Sequence, residues 1–404
     1  MSEDHQLRSD GGTAPATGED ATSANGTEKA TSRVPGLGGD EGRIIGLTAL
    51  AVLLFPFLFA EAPVISDIIQ GYAGLTTLIL IWGIFAMGYD LLHGFTGLLS
   101  FGHAAFWGAG GIAAGLLVEY AGMNLPLVLV VVGTVVGVLL AWLIGFLSLR
   151  RGGIYFAILT LAFGQMIYFT IFGPLGPITG GEDGLLLTIG DLFGVIPLNA
   201  GVPVLTPLGF IPSWLYLIVG IFVVISVAVA YRVLNSPYGL IFKAIRENEQ
   251  RAEFVGLNVW RYKLMAFILS GAFAGFAGAL HTIYNGAASA SAFYWIVSGD
   301  VVIMSILGGV GTLFGAFLGA GVYLYMSNIL ETFVGTLWHV MLGLLFVIVV
   351  WLFPGGIWGG IRALRDLLTD LIGGGGSEPE AATDGGEPGA RAPADAGSDG
   401  GENR

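Results

Sequence analysis

Few side chains in this sequence could carry catalysis. The chain has no cysteine, which excludes thiolate nucleophiles, thiolate metal sites and disulfides. Its lysines, Lys29, Lys243 and Lys263, never follow a glycine, so the Gly-Lys-Ser/Thr of a nucleotide-binding P-loop is missing. There is also no G-x-S-x-G motif and no paired-carboxylate arrangement. The sequence therefore predicts a protein that is not an enzyme and does not bind ATP through a P-loop.

Metal binding is not favoured either. The five histidines never recur at the H-x-x-x-H or H-E-x-x-H spacing that brings two imidazoles to one face of a helix. They are His5, His93, His103, His281 and His339. We predict no metal site in this chain.

Two acidic residues lie in apolar stretches, where a charged side chain at the membrane centre costs about 2.5–3.5 kcal/mol on insertion scales. Asp90 is near the end of its stretch, beside His93, which favours a place at the membrane interface. Asp300 is near the start of another stretch, where interfacial and functional placement are equally favoured. A proton-driven carrier is expected to place acids or histidines as a relay within its spans. The sequence shows no clear relay of this kind.

The surroundings of these polar groups are very apolar. Of 404 residues, 54% are hydrophobic and only 11% are charged, and the mean hydropathy is +0.80. Soluble domains carry about 25% charged residues. Several runs reach the roughly 20 apolar residues that a membrane-spanning helix needs. We therefore predict an all-α, polytopic transmembrane helical bundle.

The two ends of the chain have a different composition. Residues 1–42 and 373–404 are rich in small, polar and acidic residues, and each carries a net charge of −5 out of −13. Such segments cannot bury enough apolar surface to fold. We predict a disordered acidic tail over 1–42, a transmembrane domain over 43–358, and a C-terminal tail over 359–404 that is disordered and acidic from about 373. An apolar run that begins only after residue 42 makes a cleavable secretory signal unexpected.

Apolar runs predict most of the spans directly. They cover 44–60, 70–92, 98–118, 125–149, 153–172, 212–234, 262–284 and 334–353. The region 297–330 is apolar throughout, but the sequence Gly308-Gly309-Val310-Gly311 interrupts it. We expect a short half-span there, a glycine break, and a longer helix from about Thr312. Non-helical backbone at membrane depth is tolerated only where it is buried in protein or lines a cavity.

Lysine and arginine set the orientation, because cytoplasmic loops are enriched in them. Arg43, the pair Arg150–Arg151, the loop 235–262 and the arginines at 362 and 365 must then share one side. Counting 297–330 as two passes gives about ten passes with both tails in the cytoplasm. The opposite loops then contain acidic residues but no Lys or Arg. This pattern is typical of a multi-pass protein of the plasma membrane.

The loop 235–262 has the features of a docking surface. Ser236 can cap a helix that begins at Pro237, and Gly256 provides the stop expected just past a helix end. Between them, apolar residues alternate with charges that recur at i,i+4 spacing. We predict one or two short amphipathic helices. The alternative is an ordinary positively charged cytoplasmic loop, which every polytopic membrane protein has.

Glycines occur in two kinds of pattern. Small-xxx-small spacing, as in Gly133/Gly137 and Gly271/Gly275, indicates close helix packing rather than a substrate site. The stretch Gly94–Gly108 has glycines too dense and irregular for one continuous helix. That pattern is expected of a span broken around a pathway.

Seven stretches, distributed in order over residues 43–355, carry a further signal. They are Gly94–Phe106, Arg151–Gly164, Thr179–Leu185, Ala244–Glu249, Arg261–Phe267, Ala274–Leu280 and Leu307–Leu313. Together they resemble the membrane-spanning permeases of branched-chain amino-acid ABC importers, specifically the LivM-like subunit. The acidic tails lie outside this resemblance.

The resemblance implies a role for the loop and a set of partners. In such permeases this loop docks into a cleft of the ATP-binding subunit and transmits its closure. The matching residues here are Gly239, Ala244, Arg246, Glu247, Asn248, Glu249 and Gly256. Expected partners are a second homologous permease, two ATP-binding subunits, an extracytoplasmic solute-binding protein and membrane lipid, with no nucleic acid. The chain itself needs no cofactor, since ATP and Mg are used by the partner subunits.

The resemblance also implies alternating access for a branched-chain or similar hydrophobic amino acid. The residues expected to line or gate the path are Gly97, Gly102, His103, Gly308, Gly309 and Gly311. Those expected to contact the binding protein are Thr179, Gly180, Gly181, Glu182 and Asp183. Plain helix packing is the alternative for the glycines.

Two positions depart from the family pattern and leave the substrate open. Gln165 stands where relatives often carry an acid, and Glu182 stands where they carry a neutral residue. Related permeases move urea or short amides. An ion-coupled secondary transporter is a further alternative, which would work without any ATPase, and a purely structural anchor would not need the docking loop.

Overall fold

A computed structural model describes residues 39–57, 59, 73–181, 183–191, 196–198, 200–202, 212–353 and 355–372. Residues 1–38 of the tail predicted over 1–42, and the C-terminal tail from 373, lie outside the described residues, whereas residues 39–42 are helical. Almost everything described is helical, and this confirms the all-α class.

The first half of the bundle contains the longer helices and one short turn of helix. They are α1 (Gly39–Pro56), α2 (Ala73–Thr96), α3 (His103–Ala121), α4 (Pro126–Ser148), α5 (Ile154–Phe172), α6 (Gly176–Thr179) and α7 (Trp214–Leu234). The second half begins with two short helices. It consists of α8 (Pro237–Glu247), α9 (Glu249–Phe254), α10 (Val259–Asn285), α11 (Trp295–Gly308), α12 (Leu313–Val334), α13 (Trp338–Leu352) and α14 (Gly356–Ile372).

Seven helical segments of the described chain are long and apolar enough to cross a membrane. Six of them are α2, α3, α4, α5, α7 and α10, and the seventh runs from Leu313 to Arg362 and contains α12 and α13. Helices α1 and α11 are apolar but shorter. A multi-pass membrane protein follows from this set.

Helix α2 is the centre of the bundle. Almost all of its residues are buried, and it packs against α7, α8, α10, α11 and α12. The outward faces of α4, α5 and α7, by contrast, expose large apolar side chains such as Leu139, Phe169 and Ile221. This distribution is the one a membrane protein needs, with packed helices inside and apolar surface towards lipid.

Glycines let α10 approach α3 and α4 very closely. A Cβ placed on Gly275 would lie 2.8 Å from both the carbonyl oxygen of Gly133 and the Cα of Gly137. A Cβ on Gly278 would overlap the carbonyl group of Trp107. The small-xxx-small pairs predicted to pack helices do so in the structure.

Both predicted interruptions are present. The region 297–330 is divided into α11 and α12 by a short non-helical connection, Gly309–Thr312, as predicted. The glycine-rich stretch is non-helical from Gly97 to Gly102 and joins α2 to α3. This break lies at the start of the span expected over 98–118, because the helix itself begins only at His103.

Two short features complete the fold. Strand β1 (Leu185–Leu186) pairs antiparallel with β2 (Ala287–Ala288), which joins the segment after α6 to the end of α10. The C-terminal tail expected from residue 359 begins with an amphipathic helix, α14, which packs against α11, α12 and α13.

We predict that Gly275→Ala destabilises the protein, because the added methyl group must push α10 away from α4. Overpacking of this kind costs about 1–3 kcal/mol. The measurement is the thermal unfolding midpoint of the purified protein in detergent. Gly299→Ala is the matched control, since a Cβ at this helical glycine of α11 meets no atom within 4 Å. Equal midpoints for the two variants would contradict the prediction.

Candidate functional site

The loop 235–262 folds into two short helices that meet at Asn248. Its backbone N–H donates to the carbonyl oxygen of Ala244 at 3.0 Å and so ends α8. Its side-chain Oδ1 accepts from the backbone N–H of Arg251 at 2.9 Å and so begins α9. Gly256, with φ of +85°, follows α9 where the sequence predicts a stop. The predicted pair of amphipathic helices is therefore confirmed.

Helix α8 holds to the bundle by one face. Gly239, Phe242 and Ile245 are buried, and a Cβ on Gly239 would overlap the carbonyl group of Leu234 at the end of α7. On the other face, Ala244 and Glu247 are exposed.

Three large apolar side chains remain exposed on these helices or directly after them. Phe254 is 90% exposed, Val255 is 73% exposed and Leu240 is 68% exposed. None of these three residues is among the site residues predicted from the sequence. Their apolar character was visible in the sequence, but only the packing of α8 and α9 shows which apolar side chains remain uncovered. We call these three residues the α8–α9 patch.

Arg246 connects α8 with both non-helical segments. Its guanidinium donates to the carbonyl oxygen of Gly94 in the last turn of α2. Its side chain also runs beside Gly97, where a Cβ would lie 3.3 Å from Arg246 Cγ, and beside Gly311, where a Cβ would lie 2.8 Å from Nη1. Gly97 and Gly311 have φ of +74° and +80°, a region that favours glycine. The structure therefore brings two predicted site residues, Gly97 and Gly311, to the side chain of a third, Arg246.

Asp90, on α2, accepts a hydrogen bond from the second of these segments, residues 309–312. Its side chain is fully buried in the protein, near the end of α2 that carries α8. Asp90 Oδ1 accepts from the backbone N–H of Gly311 at 2.9 Å and from the hydroxyl of Ser305 at 3.0 Å. Asp300 accepts from the hydroxyl of Tyr323 at 2.5 Å, which links α11 to α12 further along.

A cavity of about 720 Å³ opens beside α8. Its apolar wall comes from residues 97–101 and from the first turns of α5, and its polar wall comes from residues 246–249 and Lys263. Lys263 pairs with Glu249 at 2.5 Å, which fixes α9 to α10. The predicted coupling residues Glu247, Asn248 and Glu249 thus line a space between the two short helices and the bundle.

Gly102 and His103 lie in a packed region. A Cβ on Gly102 would overlap the carbonyl oxygen of Thr160 in α5. The fully buried ring of His103 lies 3.0 Å from the Ser100 hydroxyl through Nδ1 and 2.8 Å from the Ser270 hydroxyl through Nε2. Both ring nitrogens are thus partnered, and the residue joins the 97–102 segment to α10.

Gly308 and Gly309 lie on the other side of the second break. A Cβ on Gly308 would overlap the carbonyl group of Gly315 in α12, so the two helices touch at this turn. Gly309 has φ of +120°, and a Cβ there would lie 2.7 Å from the carbonyl oxygen of Gly355, just before α14. The break is therefore packed between α12 and the C-terminal helix.

The residues expected to contact a binding protein lie at the opposite end of the bundle. Helix α5 begins at the cavity beside α8 and ends at Phe172, and Thr179 follows one short helix later. The buried hydroxyl of Thr179 donates to the carbonyl oxygens of Ile171 and Leu175 at 2.8 and 3.0 Å. Gly180 and Gly181 have positive φ, and Asp183 is exposed. Glu182 lies outside the described residues.

Charge divides between the two ends in the same way. The described Lys and Arg side chains near chain turns lie in the end turns of helices or just beyond them, at the end that carries α8; examples are Arg150, Arg232 and Arg261. The opposite end carries Glu119, Asp183 and Glu331. Among the described residues, no group of three His, Asp or Glu side chains is arranged to hold a metal ion.

Comparison with known proteins identifies the family. A model of the branched-chain amino acid transport system/permease component family matches residues 71–350. The chain is 30% identical over 320 residues to the "High-affinity branched-chain amino acid transport system permease protein LivM" of Escherichia coli (strain K12), covering 76% of this chain and 72% of that protein. The LivM of Salmonella typhimurium is also 30% identical, over 70% of this chain and 69% of its own length.

A shorter match reaches a protein with a different name. The "Probable branched-chain amino acid transport permease protein LivH" of Methanocaldococcus jannaschii is 32% identical over 29% of this chain and 36% of its own length. No solved structure matches the chain significantly. The family match covers more than half of the sequence and includes both breaks and the two short helices. The chain therefore belongs to the permease components of branched-chain amino acid transport systems, a family of transport proteins and not of enzymes.

Proposed function

We propose that this chain is one of two permease subunits of an ATP-binding-cassette importer for branched-chain amino acids in the plasma membrane. The observation that carries the proposal is the contact of α8, through Arg246, with both non-helical segments of the bundle. A short helix that touches the breaks of a membrane bundle can transmit force to them. In a transport permease, such a contact would let a separate ATPase that binds α8 act on the bundle.

The proposed substrate follows from the relatives, which are named as branched-chain amino acid permeases. A further feature agrees with alternating access. The candidate gate residues, Gly97, Gly102, His103, Gly308, Gly309 and Gly311, lie in packed non-helical segments or at their edges, where a change of backbone angle would reorient whole helices.

The proposed partners occupy the two ends of the bundle. The α8–α9 patch, together with Gly239, Ala244, Arg246, Glu247, Asn248, Glu249 and Gly256, would receive the ATP-binding subunit, which uses ATP and Mg. The loop Thr179–Asp183 would receive the extracytoplasmic binding protein. The LivM and LivH matches support a second, homologous permease beside this one.

We also propose ten passes, with α1 and α11 as the short ones and both tails in the cytoplasm. The segregation of Lys and Arg to the α8 end supports this orientation, because basic residues are enriched on the cytoplasmic side. An even number of passes then returns the C-terminus to that side.

Reconstituted vesicles with both permeases, the ATPases and the binding protein test the proposal. We expect leucine uptake that requires ATP, persists after a protonophore collapses the proton gradient, and is inhibited by valine but not by urea. Uptake without ATP or without the ATPase would favour an ion-coupled transporter. ATP turnover without leucine movement, together with urea uptake, would mean that the architecture is right and the proposed substrate is wrong.

Phe254→Ser should weaken binding of the ATP-binding subunit. Burial of a phenylalanine side chain is worth about 1.5–3 kcal/mol, so its loss corresponds to roughly 10- to 100-fold in affinity. The measurement is a titration of the labelled ATPase subunit onto the permease pair in nanodiscs. Leu186→Ser is the matched control, because Leu186 is 85% exposed but lies at the opposite end of the bundle. Equal affinities for both variants would contradict the docking assignment.

The absence of cysteine makes the topology directly testable, since single cysteines need no prior removal of native ones. Arg251→Cys in α9 should react with a charged maleimide only from the cytoplasmic side, and Asp183→Cys only from outside. Ser32→Cys and Ser398→Cys, in the two tails, should behave like Arg251→Cys. Labelling of either tail from outside would contradict the ten-pass arrangement.

A further inference from the structure

Asp90 is an unusual residue for the interior of a membrane bundle. Its side chain has no solvent exposure, and one carboxylate oxygen, Oδ1, accepts both of its close hydrogen bonds. An ionised carboxylate in such a place is strongly unfavourable unless it has partners. The two donors, the Ser305 hydroxyl and the Gly311 backbone N–H, both belong to the α11–α12 region. Asp90 itself belongs to α2.

The second donor, the Gly311 backbone N–H, indicates the role of the Asp90 carboxyl group. Gly311 lies just before α12, where the first N–H groups of a helix have no partner within the helix. The N-cap residue Thr312 provides no side-chain cap, because its hydroxyl donates to the Gly309 carbonyl at 2.6 Å. Asp90 therefore supplies, from another helix, a hydrogen-bond acceptor just before the start of α12. It binds the break to α2.

Arg246 reaches the same place from α8. The carbonyl oxygen of Gly94 accepts the hydrogen bond of the Arg246 guanidinium. Gly94 lies one turn beyond Asp90 on α2. The guanidinium also lies against Gly311, so that a Cβ there would be 2.8 Å from Nη1. Two polar side chains, one from α2 and one from α8, thus lie against the backbone at Gly311.

We propose that Asp90 is a positioning residue for coupling: it fixes the α11–α12 break to α2, so that a displacement of α8 moves the break together with α2. This inference rests on the proposed function of the chain as an ATP-driven importer. Without the carboxylate, the break would lose its bonds to α2, and Arg246 could move without carrying the break with it. ATP would then be hydrolysed with little substrate moved.

The test compares Asp90→Ala, Asp90→Asn and Ser305→Ala with Asp300→Ala in the reconstituted complete importer. Asp300 is the matched control because it is also an acid that makes a cross-helix hydrogen bond between α11 and α12, but its partner is Tyr323 rather than the break. The readout is leucine taken up per ATP hydrolysed, with the thermal unfolding midpoint of the complex measured in parallel. A merely structural role would lower stability and both activities together, without changing this ratio.

We expect Asp90→Ala to keep ATP hydrolysis within about twofold while the uptake per ATP falls at least tenfold. Asp90→Asn should recover most of the ratio, because the amide oxygen can still accept from Ser305 and Gly311. Ser305→Ala, which removes one donor and keeps the carboxylate, should lower the ratio about threefold. This variant carries the test if the Asp90→Ala complex does not assemble. Asp300→Ala should leave the ratio unchanged even where it lowers the unfolding midpoint.

Several outcomes would overturn the inference. They are an unchanged ratio in Asp90→Ala and Ser305→Ala, an equal fall in Asp300→Ala, or no recovery in Asp90→Asn. A failure of the proposed function looks different, because the unmodified complex would then show no ATP-dependent uptake at all.

Discussion

Backbone N–H and C=O groups that the fold shields from water must find hydrogen-bond partners within the protein, because an unpaired buried polar group is costly. At the α11–α12 break this requirement is met by Asp90 of α2, which accepts the Gly311 N–H. At the end of α2 it is met by Arg246 of α8, which donates to the Gly94 carbonyl. The groups that satisfy the exposed backbone are therefore also the groups that join three separate parts of the chain. The hydrogen bonds that satisfy these backbone groups therefore also connect α2 mechanically to α8 and to the α11–α12 break.

Close glycine packing gives this connection its stiffness. Helices α3, α4 and α10 touch backbone to backbone at Gly275 and Gly278, which leaves no side chains between them to absorb movement. Protein interiors are densely packed and transmit displacement rather than damping it. The two non-helical segments 97–102 and 309–312 connect α2 to α3 and α11 to α12, and their backbone is not held by helical hydrogen bonds. Movement between states is therefore expected to concentrate there.

Much of this arrangement was predictable from sequence, and the reasons are local. The glycine cluster after Leu307 predicts a break because glycine disfavours a continuous helix. Gly256 marks a helix end for an equally local reason. Ser236 precedes α8 as expected but makes no side-chain cap, because its hydroxyl donates to the Val233 carbonyl oxygen at 2.6 Å instead. The role of Asp90 was not predictable, since its partners lie 215 and 221 residues away in sequence. The exposure of Phe254 was also out of reach, because an apolar residue in an amphipathic helix is usually expected to face the core. Tertiary contacts determine both the role of Asp90 and the exposure of Phe254.

Helix α10 offers a physical reason why events at the two ends of the bundle can be linked. It begins beside α9, to which Lys263 binds it through Glu249, and it ends at β2, which pairs with β1 after the Thr179 loop. Its 27 residues span about 40 Å at 1.5 Å per residue. Coupling between distant sites needs a contiguous element that both sites contact. In the proposed importer, a continuous helix that contacts the ATPase side at one end and the binding-protein side at the other satisfies this condition. Occupancy at one end can then bias the arrangement at the other without any ionisable relay across the membrane.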